Sequence, residues 1–338
     1  MMQGPKRVVS VLLSLIVLSA GFLDYWSYSQ TFYREPGIWM DVVSGTAHAP
    51  GQYRIGVVDT AYFLARHTHL ELRHTLAVLD VIAGLIAVFT LFLVLRRSPV
   101  YRRASLAAEW FGAASFAVLV QFYLAWLLWY QKPETLPTAA MLSLALLLLT
   151  VRLPDRVGTI VPVVGLLLLA GVQGFVRADA AFALHAGILL VCLTPAGRGF
   201  ALPRWLQAGT SLIAAVLAMG IQYWLMRRVY PQANYGDTQV LQLFLNLKSP
   251  EKFVPFLLFL VPFAWTAVML TRRRYQADSA GIGMFTAAVI FLAMWVTVAR
   301  IGEVRIFLPF ALALAPLTVE LAMQRFLPGI EDVPTAHS

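Results

Sequence analysis

Residues 21–54, GFLDYWSYSQTFYREPGIWMDVVSGTAHAPGQYR, begin at the end of an apolar run at 8–23 and lie before a second apolar run at 72–95. Each run is about as long as the hydrocarbon core of a bilayer requires of a helix. Connections of this length inside a compact protein are usually functional or disordered. The many aromatic side chains of this segment argue against disorder. We therefore interpret it as a structured functional loop at a membrane surface.

The composition identifies the class of protein. Hydrophobic residues make up 59% of the chain and charged residues only 13%, with a mean hydropathy of +0.73. Such values are typical of a polytopic membrane protein. The net charge of +9 comes from small basic clusters between apolar runs, so we exclude a nucleic-acid partner. The single cysteine, Cys192, lies in an apolar run and indicates no disulfide framework.

Apolar runs continue along the whole chain. They predict a single domain over residues 1–338, an all-α polytopic transmembrane helical bundle of about ten transmembrane helices. A shorter apolar run at 55–65, interrupted by Asp59, predicts an interfacial helix in the first outer loop. The first run also fits a cleaved secretory signal ending near Ala20, but the further spans favour a retained helix. The expected spans are 8–23, 72–95, 105–130, 138–151, 157–175, 180–194, 205–226, 253–271, 280–299 and 306–322.

Basic residues indicate which ends of these spans face the cytoplasm. Lys6 and Arg7 precede the first span, and four arginines lie within 96–103 after the second. Lysine and arginine are enriched in cytoplasmic loops, so both termini are expected in the cytoplasm. The segments 24–71, 227–252 and 300–305 are then expected on the outer side.

Asp24 is the first candidate catalytic residue. It follows the first apolar run, so we expect it where the first transmembrane helix ends at the outer surface. A carboxylate held within hydrogen-bond reach of a hydroxyl can act as a general base. The alternative is an aspartate that only solvates a helix end. Asp41, further along the same loop, is the reserve candidate.

A second group of candidates closes the first loop. Arg54 follows the turn at Pro50 and presents a planar guanidinium suited to phosphate, with Gln52 and Tyr53 beside it as substrate-binding candidates. The alternative for Arg54 is an anchor for a lipid headgroup.

The third group lies in the turn ARIGEVRIFLPF, residues 299–310. Arg300 and Arg305 could bind a phosphate, with Glu303 positioning Arg305. Charged groups beside the hydrocarbon are costly unless paired or solvated, so the alternative is an internal ion pair that seals the turn.

These features together resemble the GT-C superfamily of membrane glycosyltransferases. The resemblance rests on an acidic residue after a short first helix, a long outer loop with an interfacial helix, the QYR motif at 52–54 and the late E-x-R-x-F-x-P turn at 303–309. It implies a bacterial protein of the cytoplasmic (inner) membrane that transfers sugar on its outer face. The donor would be a polyprenyl-phosphate-sugar and the acceptor a glycan, lipid or protein. By position, Asp24 matches the catalytic base, with Asp41 in reserve, and Arg54 and Arg305 match donor-phosphate ligands.

Other features leave alternatives open. Tyr235 and Asp237 in the segment 227–252 combine a ring and a carboxylate and could bind a sugar acceptor, or belong to a structured connector. Histidines at 67, 69 and 74 do not follow the H-E-x-x-H pattern, so we expect no metal and no cofactor besides the lipid-phosphate donor. Asp80 inside the second span is the residue that a membrane transporter or flippase would use, which is the alternative function.

Overall fold

The computed structural model describes residues 4–327 apart from 36, 38, 130, 131, 153, 155, 156, 235–240, 249 and 273–276. The described chain is helical throughout, with no strand. Its α-helices are α1 Gly4–Arg34, α2 Met40–Ser44, α3 Ile55–Thr68, α4 Leu72–Arg97, α5 Pro99–Arg102, α6 Leu106–Ala125, α7 Thr135–Thr150, α8 Val157–Val176, α9 Ala178–Cys192, α10 Arg204–Trp224, α11 Leu243–Leu247, α12 Phe253–Thr271, α13 Ser279–Val298, α14 Leu308–Ala313 and α15 Ala315–Phe326.

Seven of the described helical stretches are long and apolar enough to cross a membrane: α1, α4, α6, α8, α10, α12 and α13. The helices α7 and α9 are equally apolar but shorter, at 16 and 15 residues. The last expected span is divided at Leu314 into α14 and α15. The prediction of a membrane-type helical bundle is therefore confirmed.

The main error of the sequence prediction concerns the first helix. It does not end near residue 23 but continues as one helix to Arg34. Residues 24–34 therefore belong to the helix, and the first loop begins only at Glu35. The polar and aromatic residues after Leu23 did not end the helix because side-chain polarity alone leaves the backbone hydrogen bonds intact. The expected interfacial helix at 55–65 corresponds to α3.

Polar side chains cap the N-termini of two helices, α6 and α13. The Ser105 hydroxyl accepts a hydrogen bond from the backbone N–H of Ala108, and the Asp278 carboxylate accepts one at 2.6 Å from the N–H of Gly281. Each cap satisfies a backbone donor that the first helical turn leaves without a partner. These side chains therefore fix where α6 and α13 begin.

The core contains α7, α9 and α14, surrounded by the longer helices. α7 packs on α4, α8 and α14, while α9 packs on α10 and α13. Phe307, at the start of α14, is fully buried and stacks on Trp295 with ring centroids 5.8 Å apart and planes at 10°. Aromatic burial of this kind contributes packing energy beyond the buried area. It fixes the turn 299–306 against the bundle.

Contacts between loops define two ends of the bundle. The loop end contains the first loop, the segment before α7, the start of α9 and the turn 299–306. Arg54 joins three of these parts by ion pairs to Glu134 and Asp179, and Arg177 donates to the Ile306 carbonyl. The opposite end contains the connections around Ser98, 193–203 and Asp278, where the Ser279 hydroxyl donates to the Ala196 carbonyl.

Gly187 provides a test of the packing between α9 and α13. A Cβ at this position would lie 2.6 Å from the backbone Cα of Ala287, which leaves no room for a methyl group. We expect Gly187→Ala to destabilise the protein by about 1–3 kcal/mol, because the backbones of α9 and α13 must move apart to make room for the methyl group. Gly209→Ala in α10 is the matched control, since nothing lies within 4 Å of its added Cβ. Thermal unfolding of both variants in detergent measures the difference, and equal midpoints would contradict the packing.

Candidate functional site

Gln52 holds the first loop together. Its side-chain oxygen accepts a hydrogen bond from Ala47 N–H at 2.9 Å, and its NH₂ group donates to the Val42 carbonyl at 3.0 Å. The residue is fully buried. Both ends of the amide therefore have hydrogen-bond partners within the first loop, and the role of Gln52 in substrate binding stays a prediction.

Tyr53 joins the first loop to the segment that follows α10. Its hydroxyl donates to the Ala233 carbonyl at 2.7 Å, and its ring packs with Ala49 and Leu225. The side chain is buried. These contacts hold Tyr53 in place beside Arg54, and its expected contact with substrate stays a prediction.

Arg54 lies where three parts of the chain meet. Its Nη1 is 2.7 Å from Oε1 of Glu134, and its Nη2 is 3.6 Å from Oδ2 of Asp179. Asp179 also pairs with Arg177 at 2.7 Å. The expectation that Arg54 is a surface anchor is not met, because its side chain is only 20% exposed. A partly buried guanidinium between two carboxylates has a fixed orientation.

Glu134 stays ionised beside Arg54. Burial opposes its negative charge, but Arg54, Lys132 and Arg177 outweigh that effect and lower the pKa of Glu134 to about 2. A buried charge pair of this kind is costly unless both partners are present. The arrangement is therefore built around permanent charges at neutral pH.

Lys132 lies near the Arg54–Glu134 pair and near Arg305 of the turn 299–306. Burial lowers the pKa of the Lys132 ammonium; Glu134 opposes the shift, and Arg54 and Arg305 add to it. Lys132 is therefore close enough to both arginines for their charges to act on it. Arg305 is buried and its Nη2 lies 2.9 Å from Oε2 of Glu303, which matches the expected internal pair.

We call this group the charged cluster. Within the described chain it has four cations and three carboxylates, so one positive charge is in excess. Its members are Arg54, Lys132, Arg177 and Arg305, with Glu134, Asp179 and Glu303. Such an arrangement can accept a phosphate as a further anionic partner.

The remaining candidates lie elsewhere. Arg300 is exposed at the turn, where its carbonyl accepts from the Trp295 indole N–H at 3.1 Å. Asp41 is exposed on the short helix α2. Tyr235 and Asp237 lie outside the described residues.

Asp24 has a different environment from the one expected. It lies inside α1, ten residues before the helix ends at Arg34, and is fully buried. Neither carboxylate oxygen has a hydrogen-bond partner within the described part of the chain. Its charged neighbour is Asp80 of α4, not an arginine. The expectation of a solvated carboxylate at a helix end is therefore wrong.

Tyr28 links Asp80 to the region of the charged cluster. One turn after Asp24, its hydroxyl donates to Oδ2 of Asp80 at 2.7 Å. Its ring packs in the same apolar cluster as Val57 and Val176, which lie close in sequence to Arg54 and Arg177. One apolar cluster therefore contacts both the helices that carry the two aspartates and the segments that carry Arg54 and Arg177.

A surface cavity of about 320 Å³ lies between the ends of α1 and α4. It is lined by Phe32, Tyr33, Glu71, Leu72 and Arg73. Phe32 is two turns after Asp24, and Leu72 is two turns before Asp80, or roughly 12 Å along each helix. The cavity therefore opens above the two aspartates.

Sequence reasoning missed Lys132 and Glu134. They lie in a short connection between two apolar runs, where neither matched a known motif. One signal was present: counting spans places Lys132 on the outer side, where cations are depleted. A cation that breaks the positive-inside pattern is a candidate for a functional role.

No protein-family model, no curated protein and no solved structure matches this chain. The fold and the site define a helical membrane protein with a buried charged cluster at one end of its bundle.

Proposed function

We propose that this protein is a membrane glycosyltransferase of the GT-C type. It would transfer a sugar from a polyprenyl-phosphate-linked donor to a glycan, lipid or protein acceptor on the outer face of the bacterial inner membrane. Arg54, Lys132 and Arg305 would bind the donor phosphate, with Arg300 at the entrance of the site. Asp24 would serve as the base, with Asp41 in reserve.

One observation carries this proposal. Arg54 lies in the first loop and Arg305 in the turn 299–306, yet a chain of contacts joins them: Arg54 pairs with Asp179 and Asp179 pairs with Arg177. Arg177 in turn donates to the carbonyl of Ile306, the residue after Arg305. Cations that converge at the surface of an apolar bundle suit a lipid whose charge lies at the membrane interface and whose chain lies in the bilayer. Guanidinium groups would also stabilise the charge that develops on a departing phosphate.

The base must receive the acceptor hydroxyl for the reaction to proceed. Asp24 is fully buried, so the acceptor reaches it only after side chains around it move. The cavity lined by Phe32 and Leu72 lies about two helical turns from Asp24 and Asp80 and is where the acceptor would enter. Movement of a few side chains on substrate binding is common in enzymes that exclude water from their sites.

The test of the function is binding of polyprenyl phosphate to the purified full chain in nanodiscs. We expect saturable binding that free polyprenyl alcohol, which lacks the phosphate, does not displace. Sugar transfer from radiolabelled polyprenyl-phosphate-sugars to membrane acceptors is the second measurement. Equal affinity for the phosphate and the alcohol would contradict a phosphate site.

The finer topology is part of the proposal. We infer ten spans with both termini in the cytoplasm and the loop end outside, because the basic clusters at 96–103 and 272–274 then lie inside. α7 and α9, together with the broken pair α14 and α15, supply the three spans beyond the seven long helices.

Cysteine labelling tests this topology. We expect Ser44→Cys to react with a membrane-impermeant maleimide in intact cells and Leu193→Cys to react only after lysis. Both positions are exposed, and native Cys192 is buried and gives little background. The reverse pattern would place the loop end in the cytoplasm.

A transporter or flippase is the second candidate. The observation that favours it is the pair of buried aspartates inside α1 and α4, since carboxylates within spans commonly take part in ion or proton transfer. The two functions differ in a direct assay. Movement of a fluorescent lipid phosphate across liposomes without sugar transfer would support the transporter.

A further inference from the structure

Close contacts fix how α1 and α4 lie against each other. A Cβ on Gly84 would lie 3.0 Å from Cγ1 of Val17, and one on Gly21 would clash with Cγ2 of Val81. Further along, Tyr25 stacks on His74 with ring centroids 5.2 Å apart. As the α1 residue number rises in these contacts, the α4 residue number falls. The two helices are therefore antiparallel in a single register.

Two carboxyl groups lie near each other between these helices, because Tyr28, one turn after Asp24 on the same face of α1, donates a hydrogen bond to Asp80 of α4. Asp24 follows Gly21 by about one turn on α1, and Asp80 precedes Val81 on α4. Both residues are fully buried, and the Tyr28 hydroxyl donates to Asp80 at 2.7 Å. Neither oxygen of Asp24 has a hydrogen-bond partner among the described residues.

We propose that Asp24 and Asp80 share one proton, and that this pair, rather than Asp24 alone, is the proton acceptor of the protein. Two ionised carboxylates near each other in an apolar environment repel strongly, and a proton held between them removes that repulsion. A single shared proton leaves one negative charge, which the Tyr28 hydroxyl stabilises. Interacting carboxyls of this kind titrate as one unit.

The described helices around the pair carry further titratable groups. On α1 and α4 the nearest ones are Tyr25 and Tyr28, with His74 stacked on Tyr25. α7, which packs on α4, has no titratable side chain. Among side chains that the structure describes, the remaining titratable groups on α1, α4 and the helices packed against them are Arg7, Tyr33, Arg34, Asp59, Tyr62, Arg66, His67, Arg73, Arg96, Arg97, Tyr101, Arg102, Glu109, Tyr123, Glu320 and Arg325.

The chemical role of the pair rests on the proposed function. In the transfer step, the acceptor O–H bond breaks and its oxygen forms a bond to the anomeric carbon. The bond between that carbon and the phosphate oxygen breaks, and its electron pair leaves with the phosphate. The acceptor proton passes to the aspartate pair, which becomes neutral and later returns the proton to water.

Infrared spectroscopy of the purified full chain in nanodiscs tests the shared proton without any activity assay. The spectrum of Asp24→Asn/Asp80→Asn is subtracted from that of the wild type, so that other buried carboxyls such as Glu320 cancel. At neutral pH we expect one protonated-carboxyl band with half the intensity that the same difference gives at acid pH. Full intensity, or no band, would overturn the shared proton.

Two further measurements complete the design. Tyr28→Phe keeps both aspartates and is expected to shift the band, because it removes the hydrogen bond to Asp80; an unshifted band would contradict the arrangement.

The band should be the same in sodium and choline buffers. A band that appears only in choline means that the pair binds sodium, which overturns the proposal. A half-intensity band in a protein that transfers no sugar would retain the shared proton and remove only the enzymatic role.

Discussion

Replacing Arg305 by Ala is expected to weaken binding of polyprenyl phosphate about ten- to hundredfold. A hydrogen bond to a charged group contributes about 1.5–3 kcal/mol, and each 1.4 kcal/mol corresponds to roughly a tenfold change in affinity. Arg305 is buried beside Glu303 and acts on Lys132, so its charge is poorly screened by water. Titration of nanodisc-reconstituted variants with the lipid measures the loss.

The same experiment needs controls for folding and for general charge. Arg305→Lys retains the cation and the pairing with Glu303 but loses the planar donor pattern, so we expect a smaller loss of affinity. Arg228→Ala removes an exposed arginine from the turn at Leu225–Val229, just after α10, and should leave affinity unchanged. An Arg305→Ala variant that unfolds at the wild-type temperature and binds the lipid as tightly as wild type would remove Arg305 from the phosphate site.

Hydropathy was sufficient to predict most of the helices but not their ends. The apolar runs at 157–175 and 253–271 differ by at most one residue at either end from α8 and α12, because apolar side chains and helical hydrogen bonds both satisfy the bilayer. The first helix was predicted about ten residues too short. Hydropathy falls after Leu23, yet Tyr25 and Tyr28 find partners on α4 and the helix continues.

The site was only partly predictable for a related reason. Arg54, Glu303 and Arg305 stood out because their own segments are charge-dense or turn-rich. Glu134 and Asp179 gain their roles only from long-range packing, which places them beside Arg54. The proximity of Asp24 to Asp80 depends on the register of α1 against α4. No local pattern in a single sequence predicts how two helices are aligned against each other.

Asp24→Asn is expected to reduce sugar transfer at least about a hundredfold while binding of the donor phosphate persists. General-base catalysis contributes roughly 10²–10⁴-fold, and asparagine keeps the shape of aspartate but cannot accept the proton. Donor binding should persist because, within the described chain, the Asp24 carboxylate makes no hydrogen bond or ion pair to any residue of the charged cluster. Transfer from a saturating polyprenyl-phosphate-sugar, measured with confirmed membrane expression, gives the change in turnover.

A loss of turnover alone would not distinguish a base from a structural residue. The Asp24→Asn substitution keeps the shape of the side chain and leaves the single negative charge on Asp80, where the Tyr28 hydroxyl stabilises it, so the variant should unfold at about the wild-type temperature. Loss of a structural anchor would lower that temperature. Glu35→Gln, at an exposed carboxylate just after α1, is the matched control and should transfer sugar normally. Normal turnover by Asp24→Asn together with a loss in Asp41→Asn would move the base to the first loop. Normal turnover by both variants would show that acceptor deprotonation needs neither carboxylate, and the phosphate would then have to take the proton as it leaves.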